Sequence, residues 1–142
     1  MTMTNDRKVI LSVEDNEDIA SLIRLVLRHA PVELIHVLSA DEANKILETT
    51  SPDLLLLDMM LPGMTGIDFL TQIRKDARFT QLPVIVITVR AEAAYRQRAQ
   101  ELGVSRYLLK PFSPTVLRQE IQQTLGVKWK DTGTLTPPAP PA

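Results

Sequence analysis

Three carboxylates stand where short apolar runs end. Glu14 and Asp15 close the run Val9–Val13, and Asp58 directly follows the four leucines Leu54 to Leu57. If those runs are adjacent strands, about 4.8 Å apart, the three acids share one pocket. Like charges so placed repel and raise one another's pKa unless a cation neutralises them. An oxygen-only donor set on a partly open rim suits Mg2+, which keeps several waters and leaves room for a phosphate oxygen. No His or Cys lies nearby in sequence to favour zinc. The acids alone fit a plainer account equally well, as solvated loop residues or partners of helix N-termini. Two more residues of chemical interest follow other apolar runs: Thr88 after Val84–Ile87, and Lys110, with Pro111 beside it, after Val104–Leu109. Taken singly, a lysine before proline is an ordinary surface residue and a threonine an ordinary β-former or cap.

The elements that must position these residues are legible in outline. Runs rich in Val, Ile and Leu recur at Val9–Val13, Leu34–Leu38, Leu54–Leu57, Val84–Ile87 and Val104–Leu109, nearly continuous instead of alternating. That pattern belongs to strands buried on both faces of a parallel sheet. Between them the spacing turns helical: Ile19, Leu22, Ile23, Val26 and Leu27 form one stripe, with Arg24 and Arg28 opposite. Ser39 with Glu42 has capping-box spacing, Thr65 precedes Asp68 similarly, and Ser113-Pro114 offers an N-cap followed by proline. Gly103 punctuates the fourth helix, and Leu117, Ile121 and Leu125 line the inner face of the fifth. The expected fold is α/β, a (βα)5 doubly wound five-stranded parallel sheet, with chemistry at the carboxyl ends of its strands. Residues 1–7 read as a leader, 8–126 as the domain, and 127–142 as a tail or linker that carries Trp129 and becomes Pro-rich from Leu135 to Ala142.

Composition narrows the classes. With 142 residues, 44% of them hydrophobic, one core is expected. Sixteen basic against 17 acidic residues, net charge -1, give no global reason to bind nucleic acid or an acidic membrane. No cysteine is present, so disulfides, thiolate zinc sites and thiol nucleophiles are excluded. The polar start, and the lack of any apolar run near the roughly 18 residues of a membrane helix, predict a cytoplasmic protein with no membrane insertion. A glycine-rich phosphate loop is missing too. Glu14-Asp15-Asn16-Glu17-Asp18 offers negative charge where a nucleotide-binding fold offers backbone N–H groups.

Taken in order, Val13-Glu14-Asp15-Asn16, the segment from Leu57-Asp58-Met59-Met60-Leu61-Pro62-Gly63 through Gly66, Thr88, and Lys110-Pro111-Phe112 resemble the receiver domain of bacterial response regulators, over roughly Lys8 to Leu125. The resemblance implies a flavodoxin-like fold with strand order 2-1-3-4-5. It implies that Asp58 accepts a phosphoryl group as a carboxylate nucleophile, from a histidine kinase or phosphotransfer protein. Glu14, Asp15, Asp58 and the main-chain carbonyl of Met60 would hold Mg2+. Lys110 would pair with Asp58 and then with the phosphoryl group, Thr88 would donate to a phosphoryl oxygen, and Pro111 would set the corner, usually through a cis bond. Tyr107 matches the aromatic switch position and Thr88 its partner; the region Arg90–Ala99 would change surface on phosphorylation. The family prefers a small residue after Thr88, so Val89 is expected to narrow access to Asp58.

Aspartyl phosphatases of the haloacid dehalogenase type are a rival, but they need an acid two positions after the nucleophile, where Met60 stands. The resemblance therefore implies a phospho-accepting switch instead of an enzyme, read by a downstream protein partner or an output domain absent from this chain, without direct nucleic-acid contact. A receiver used only as an interaction module, and one that forms a homodimer on phosphorylation, stay open at this stage.

Overall fold

The computed structural model describes residues 7–129. Strands β1 (Lys8–Val13), β2 (Val32–Val37), β3 (Leu54–Leu57), β4 (Val84–Thr88) and β5 (Arg106–Leu109) alternate with helices α1 (Glu17–Val26), α2 (Ala40–Thr49), α3 (Gly66–Arg74), α4 (Ala93–Glu101) and α5 (Pro114–Leu125). All strand pairs are parallel, in the order β2-β1-β3-β4-β5. The (βα)5 doubly wound, flavodoxin-like architecture is the one expected.

The near-continuous apolar runs have the anticipated cause. Leu11, Val13, Leu55, Leu57, Val84 and Val86 face the layer that contains α2 and α3, while Ile10, Leu54, Leu56, Ile85 and Ile87 face α1 and α5. Every β3 leucine is at most 1% exposed, and burying such a side chain contributes roughly 1.5–3 kcal/mol. With helices on both faces, neither parity of a central strand such as β3 forms a polar face. The helix starts are set by side chains: Asn16 Oδ1 accepts from Ile19 N at 3.0 Å, Ser39 Oγ from Glu42 N at 3.2 Å, Thr65 Oγ1 from Asp68 N at 3.1 Å and Ser113 Oγ from Val116 N at 3.4 Å. Gly126 ends α5 in the left-handed region at φ +68°, its N–H bonded to Gln122 O.

β1 and β4 each extend one residue beyond their apolar runs, to Lys8 and Thr88, and two other strands are shifted further. β2 begins at Val32, because Glu33 interrupts the apolar run without interrupting the ladder, where it pairs with Val9; Leu38 lies beyond the strand and is exposed. β5 begins at Arg106, because Val104 is used to close α4, its N–H bonded to Ala99 O. A 3-10 turn at Ala77–Phe79 was not foreseen; it buries Phe79 at the floor of the α3–β4 connection. Trp129 packs against the α1/α5 layer, and its carbonyl accepts from Gln122 Nε2 at 2.9 Å. The Pro-rich stretch lies outside the described residues. Among the described residues, no helix is long and apolar enough to cross a membrane.

Candidate functional site

The parallel register gathers the chemistry at one edge. Val13 lies opposite Leu57, and Leu57 opposite Val86, so Glu14, Asp58 and Thr88 emerge from neighbouring strands at the same end. Asp58 N donates to Val13 O and Glu14 N to Val37 O, which carries the ladder one residue past the strands and fixes the directions of both acids. One carboxylate oxygen from each of Glu14, Asp15 and Asp58 lies within 4.8 Å of the others. Glu14 is 1% and Asp58 4% exposed, while Asp15 opens to solvent.

Lys110 closes this pocket from β5. Its Nζ donates to Glu14 Oε1 at 2.9 Å and to Asp58 Oδ2 at 3.1 Å, so the lysine bridges two acids instead of serving Asp58 alone. Its N–H is held by Thr88 O, and the Lys110–Pro111 peptide bond is cis. Burial pushes Glu14 up to about 7, with Asp58's charge adding to the rise and the Lys110 hydrogen bond opposing it. Burial acts to lower the Lys110 pKa, but its hydrogen bond to Glu14 and its pairing with Asp58 outweigh that, and the ammonium is held above the usual lysine range. Two buried carboxylates and the exposed Asp15, against one ammonium, leave an excess of acids with oxygen donors only. That donor set fits a hard divalent cation.

The β3–α3 loop folds over Asp58: Met60 N donates to Asp58 Oδ1 at 3.0 Å. Thr88 is fully buried, and its hydroxyl accepts from Arg90 N at 3.2 Å, which leaves the hydroxyl proton for an acceptor at the site. Tyr107 is half-buried, and its hydroxyl donates to Arg90 O at 2.6 Å. Thr88 and Tyr107 thus both hold residue 90, one by its N–H and one by its carbonyl. Burial raises the phenol's pKa above its usual value. Arg96 lies over the Tyr107 ring, 5.0 Å from its centre. Val89 is 63% exposed at the rim of the site. Tyr107→Phe is expected to lower stability by about 1 kcal/mol, seen as a lower urea midpoint at unchanged slope.

Sequence reasoning did not find what Arg90 does. Its Nε donates to Met60 Sδ at 3.3 Å and its Nη1 pairs with Glu92 at 3.1 Å, so it spans the β3–α3 and β4–α4 loops above the pocket. Nor did it assign a role to Gly66. A Cβ there would lie 2.6 Å from both Asp58 O and Met59 Cα, so this glycine lets α3 start against the main chain of the acid loop.

This sheet, with an acid cluster, a threonine and a lysine at consecutive strand ends, defines a flavodoxin-like signalling domain of the receiver class. The sequence profile of the response regulator receiver domain matches residues 10–122, and the chain belongs to that family. It is 37% identical over 116 residues to the phosphate regulon transcriptional regulatory protein PhoB of Rhizobium meliloti, covering 82% of this chain and 51% of that protein. It is 34% identical over 118 residues to the alkaline phosphatase synthesis transcriptional regulatory protein PhoP of Bacillus subtilis, covering 83% of this chain and 48% of that protein. The chain thus spans about half the length of the curated relatives it matches. Among solved structures it is similar to a putative response regulator from Chloroflexus aurantiacus, with TM-score 0.79 and 29% identity over 85% of this chain and 99% of that one. It is also similar to the receiver domain of the sensor histidine kinase PA1611 from Pseudomonas aeruginosa, whose structure has a magnesium ion in the active site cleft; there the TM-score is 0.75 at 28% identity, over 84% of this chain and 98% of that one. Receiver domains of two-component response regulators are signalling switches that interact with histidine kinases and output domains.

Proposed function

We propose that Asp58 accepts a phosphoryl group from a phosphohistidine of a histidine kinase or phosphotransfer protein. One Asp58 carboxylate oxygen forms a bond to phosphorus, the donor's P–N bond breaks, and the electron pair stays on the departing imidazole, leaving an acyl phosphate. Glu14, Asp15, Asp58 and the Met60 carbonyl are the residues that would hold Mg2+. When bound, Mg2+ screens the approach of two negative groups and stabilises the equatorial phosphoryl oxygens.

This chain's own residues do the rest. Lys110 holds Asp58 in place before transfer and offers its ammonium to the phosphoryl oxygens afterwards. Thr88 supplies a hydroxyl proton from a fully buried position, and that contact pulls on Arg90 and so on Tyr107. The carrying observation is the buried Asp58 carboxylate, with Lys110 Nζ at 3.1 Å and two further acids beside it. The switched surface is read by a protein partner or by an output domain, as part of a longer regulator like the transcriptional regulatory proteins it resembles, with homodimerisation as one form the readout takes.

Incubation with Mg2+ and a small acyl-phosphate donor is expected to add one phosphoryl mass, labile in base and absent from Asp58→Asn. No adduct with a donor that phosphorylates a control receiver would leave a receiver that acts only by binding.

A further inference from the structure

The two ends of α4 are held in different ways. At its carboxyl end Arg74, the last residue of α3, donates from one guanidinium to five main-chain carbonyls: Nε to Leu102 at 2.8 Å, Nη1 to Phe79 and Leu82 at 2.8 Å each and to Thr80 at 3.3 Å, and Nη2 to Gly103 at 3.3 Å. Leu102 is the C-cap of α4, where helix carbonyls lack partners of their own and the macrodipole favours a cation. Residues 79–82 lead into β4, the centre of the sheet's second half. A planar fork of five N–H donors is particular to arginine. One side chain therefore joins α3, the turn before β4 and the carboxyl end of α4.

The amino end has no such anchor. Glu92, the N-cap, makes no side-chain cap bond, and the only buried residue of α4 is Ala99, near the pinned end. What precedes it, Arg90, is held by the Thr88 hydroxyl and the Tyr107 hydroxyl. We propose that α4 is a lever hinged at Arg74, whose amino end follows the Thr88–Tyr107 pair while residues 99–104 stay fixed to α3 and the β4 turn. The drive for this lever rests on the phosphoacceptor reading above; the hinge itself does not. A helix of nine residues is about 13 Å long at 1.5 Å per residue, so a tilt of about 10° moves its first turn by about 2 Å. The groove between Thr65, Ile67 and Asp68 on the α3 side and Ala94, Tyr95 and Arg98 on the α4 side would change width, since only its α4 wall moves. Arg74 is on this account a positioning residue for the output surface.

Amide hydrogen exchange on the full chain, with and without Mg2+ and acetyl phosphate, tests this, with intact mass read on the same samples. In the wild type, phosphorylation should change exchange at residues 90–96 at least about fivefold and leave 99–104 within about twofold. Equal changes at both ends would overturn the hinge. Arg74→Gln should form the adduct as the wild type does. Before phosphorylation, it should exchange faster at 79–82 and 99–104 together, and on phosphorylation its change should spread from 90–96 into 99–104. Faster exchange by the same factor in both states, with their difference unaltered, would mean a merely structural residue and overturn the proposal. If the wild type forms no adduct, the phosphoacceptor reading fails and the unphosphorylated samples decide the hinge. Uniform protection along wild-type α4, or acceleration in Arg74→Gln at 79–82 without 99–104, overturns it. Arg74→Lys, which keeps the charge but loses the fork, carries the same comparison if Arg74→Gln does not fold.

Discussion

Gly66→Ala is expected to destabilise the domain by about 3 kcal/mol or more and to displace the loop that carries Asp58. The added Cβ would meet Asp58 O and Met59 Cα at 2.6 Å each and Met59 Sδ at 3.1 Å. Two of those three neighbours are main chain, so no rotamer change relieves the contact. Gly66 N also donates to Met59 O at 2.8 Å, which ties the first turn of α3 to the same segment and blocks a simple retreat of the helix. Relief must come from moving either α3, whose Phe69 and Leu70 are fully buried, or the acid loop itself. Urea unfolding gives the stability change, and phosphoryl uptake, measured where the variant is still folded, reports the loop. Gly63→Ala is the control. Gly63 has φ +79° but open space around its Cβ position, so only the left-handed penalty of about 1 kcal/mol applies. A Gly66→Ala midpoint no lower than that of Gly63→Ala would contradict the close-approach argument.

Why Gly66 escaped the sequence while Asp58 did not follows from what each kind of information encodes. The acids, Thr88 and Lys110 announce themselves because each directly follows or ends an apolar run, and strand ends are set by local hydrophobicity. The close approach at Gly66 depends on how α3 packs on the β3 exit, a tertiary distance with no local signature beyond the glycine. The strand order came from the resemblance: a parallel ladder places no mark on its neighbours, so Val13 opposite Leu57 could not be read from either segment. Arg74 was equally silent. An arginine ending an amphipathic helix looks like a solvated dipole partner, and its five carbonyl acceptors come from two segments remote from one another in the fold's layers. The opposite case is α4. Its sequence holds no long aliphatic before Leu102, so little inward packing is legible there, and the structure buries only Ala99. Lys110 falls between these cases: its pairing with Asp58 was expected, whereas its equal engagement of Glu14 follows from burial that gives two acids one cation.

That shared lysine sets up the other large effect. Glu14→Gln is expected to abolish Mg2+ binding in the accessible concentration range and, in metal-free buffer above pH 7, to make the domain more stable than the wild type. Glu14 is 1% exposed, and burial pushes its carboxyl from 4.5 to about 7. A raised acid holds more protons folded than unfolded, so its contribution is fully present below about pH 4.5 and is lost as pH rises through about 7. At about 1.4 kcal/mol per unit, the cost of the ionised, buried group is roughly 3 kcal/mol at pH 8. Glutamine keeps the shape and removes the charge, and Lys110 then serves Asp58 alone. Urea midpoints at pH 8 without metal should therefore rise in Glu14→Gln, and the gap should close toward pH 4.5. Saturating Mg2+ should stabilise the wild type by mass action and leave the variant unmoved, so that the order of stabilities narrows or inverts. A variant less stable than the wild type at pH 8 without metal would show that the Lys110–Glu14 bridge outweighs the cost of burying the charge. The expected result would make Glu14 a residue whose ionised form the fold tolerates at a cost, in keeping with its proposed part in holding a cation.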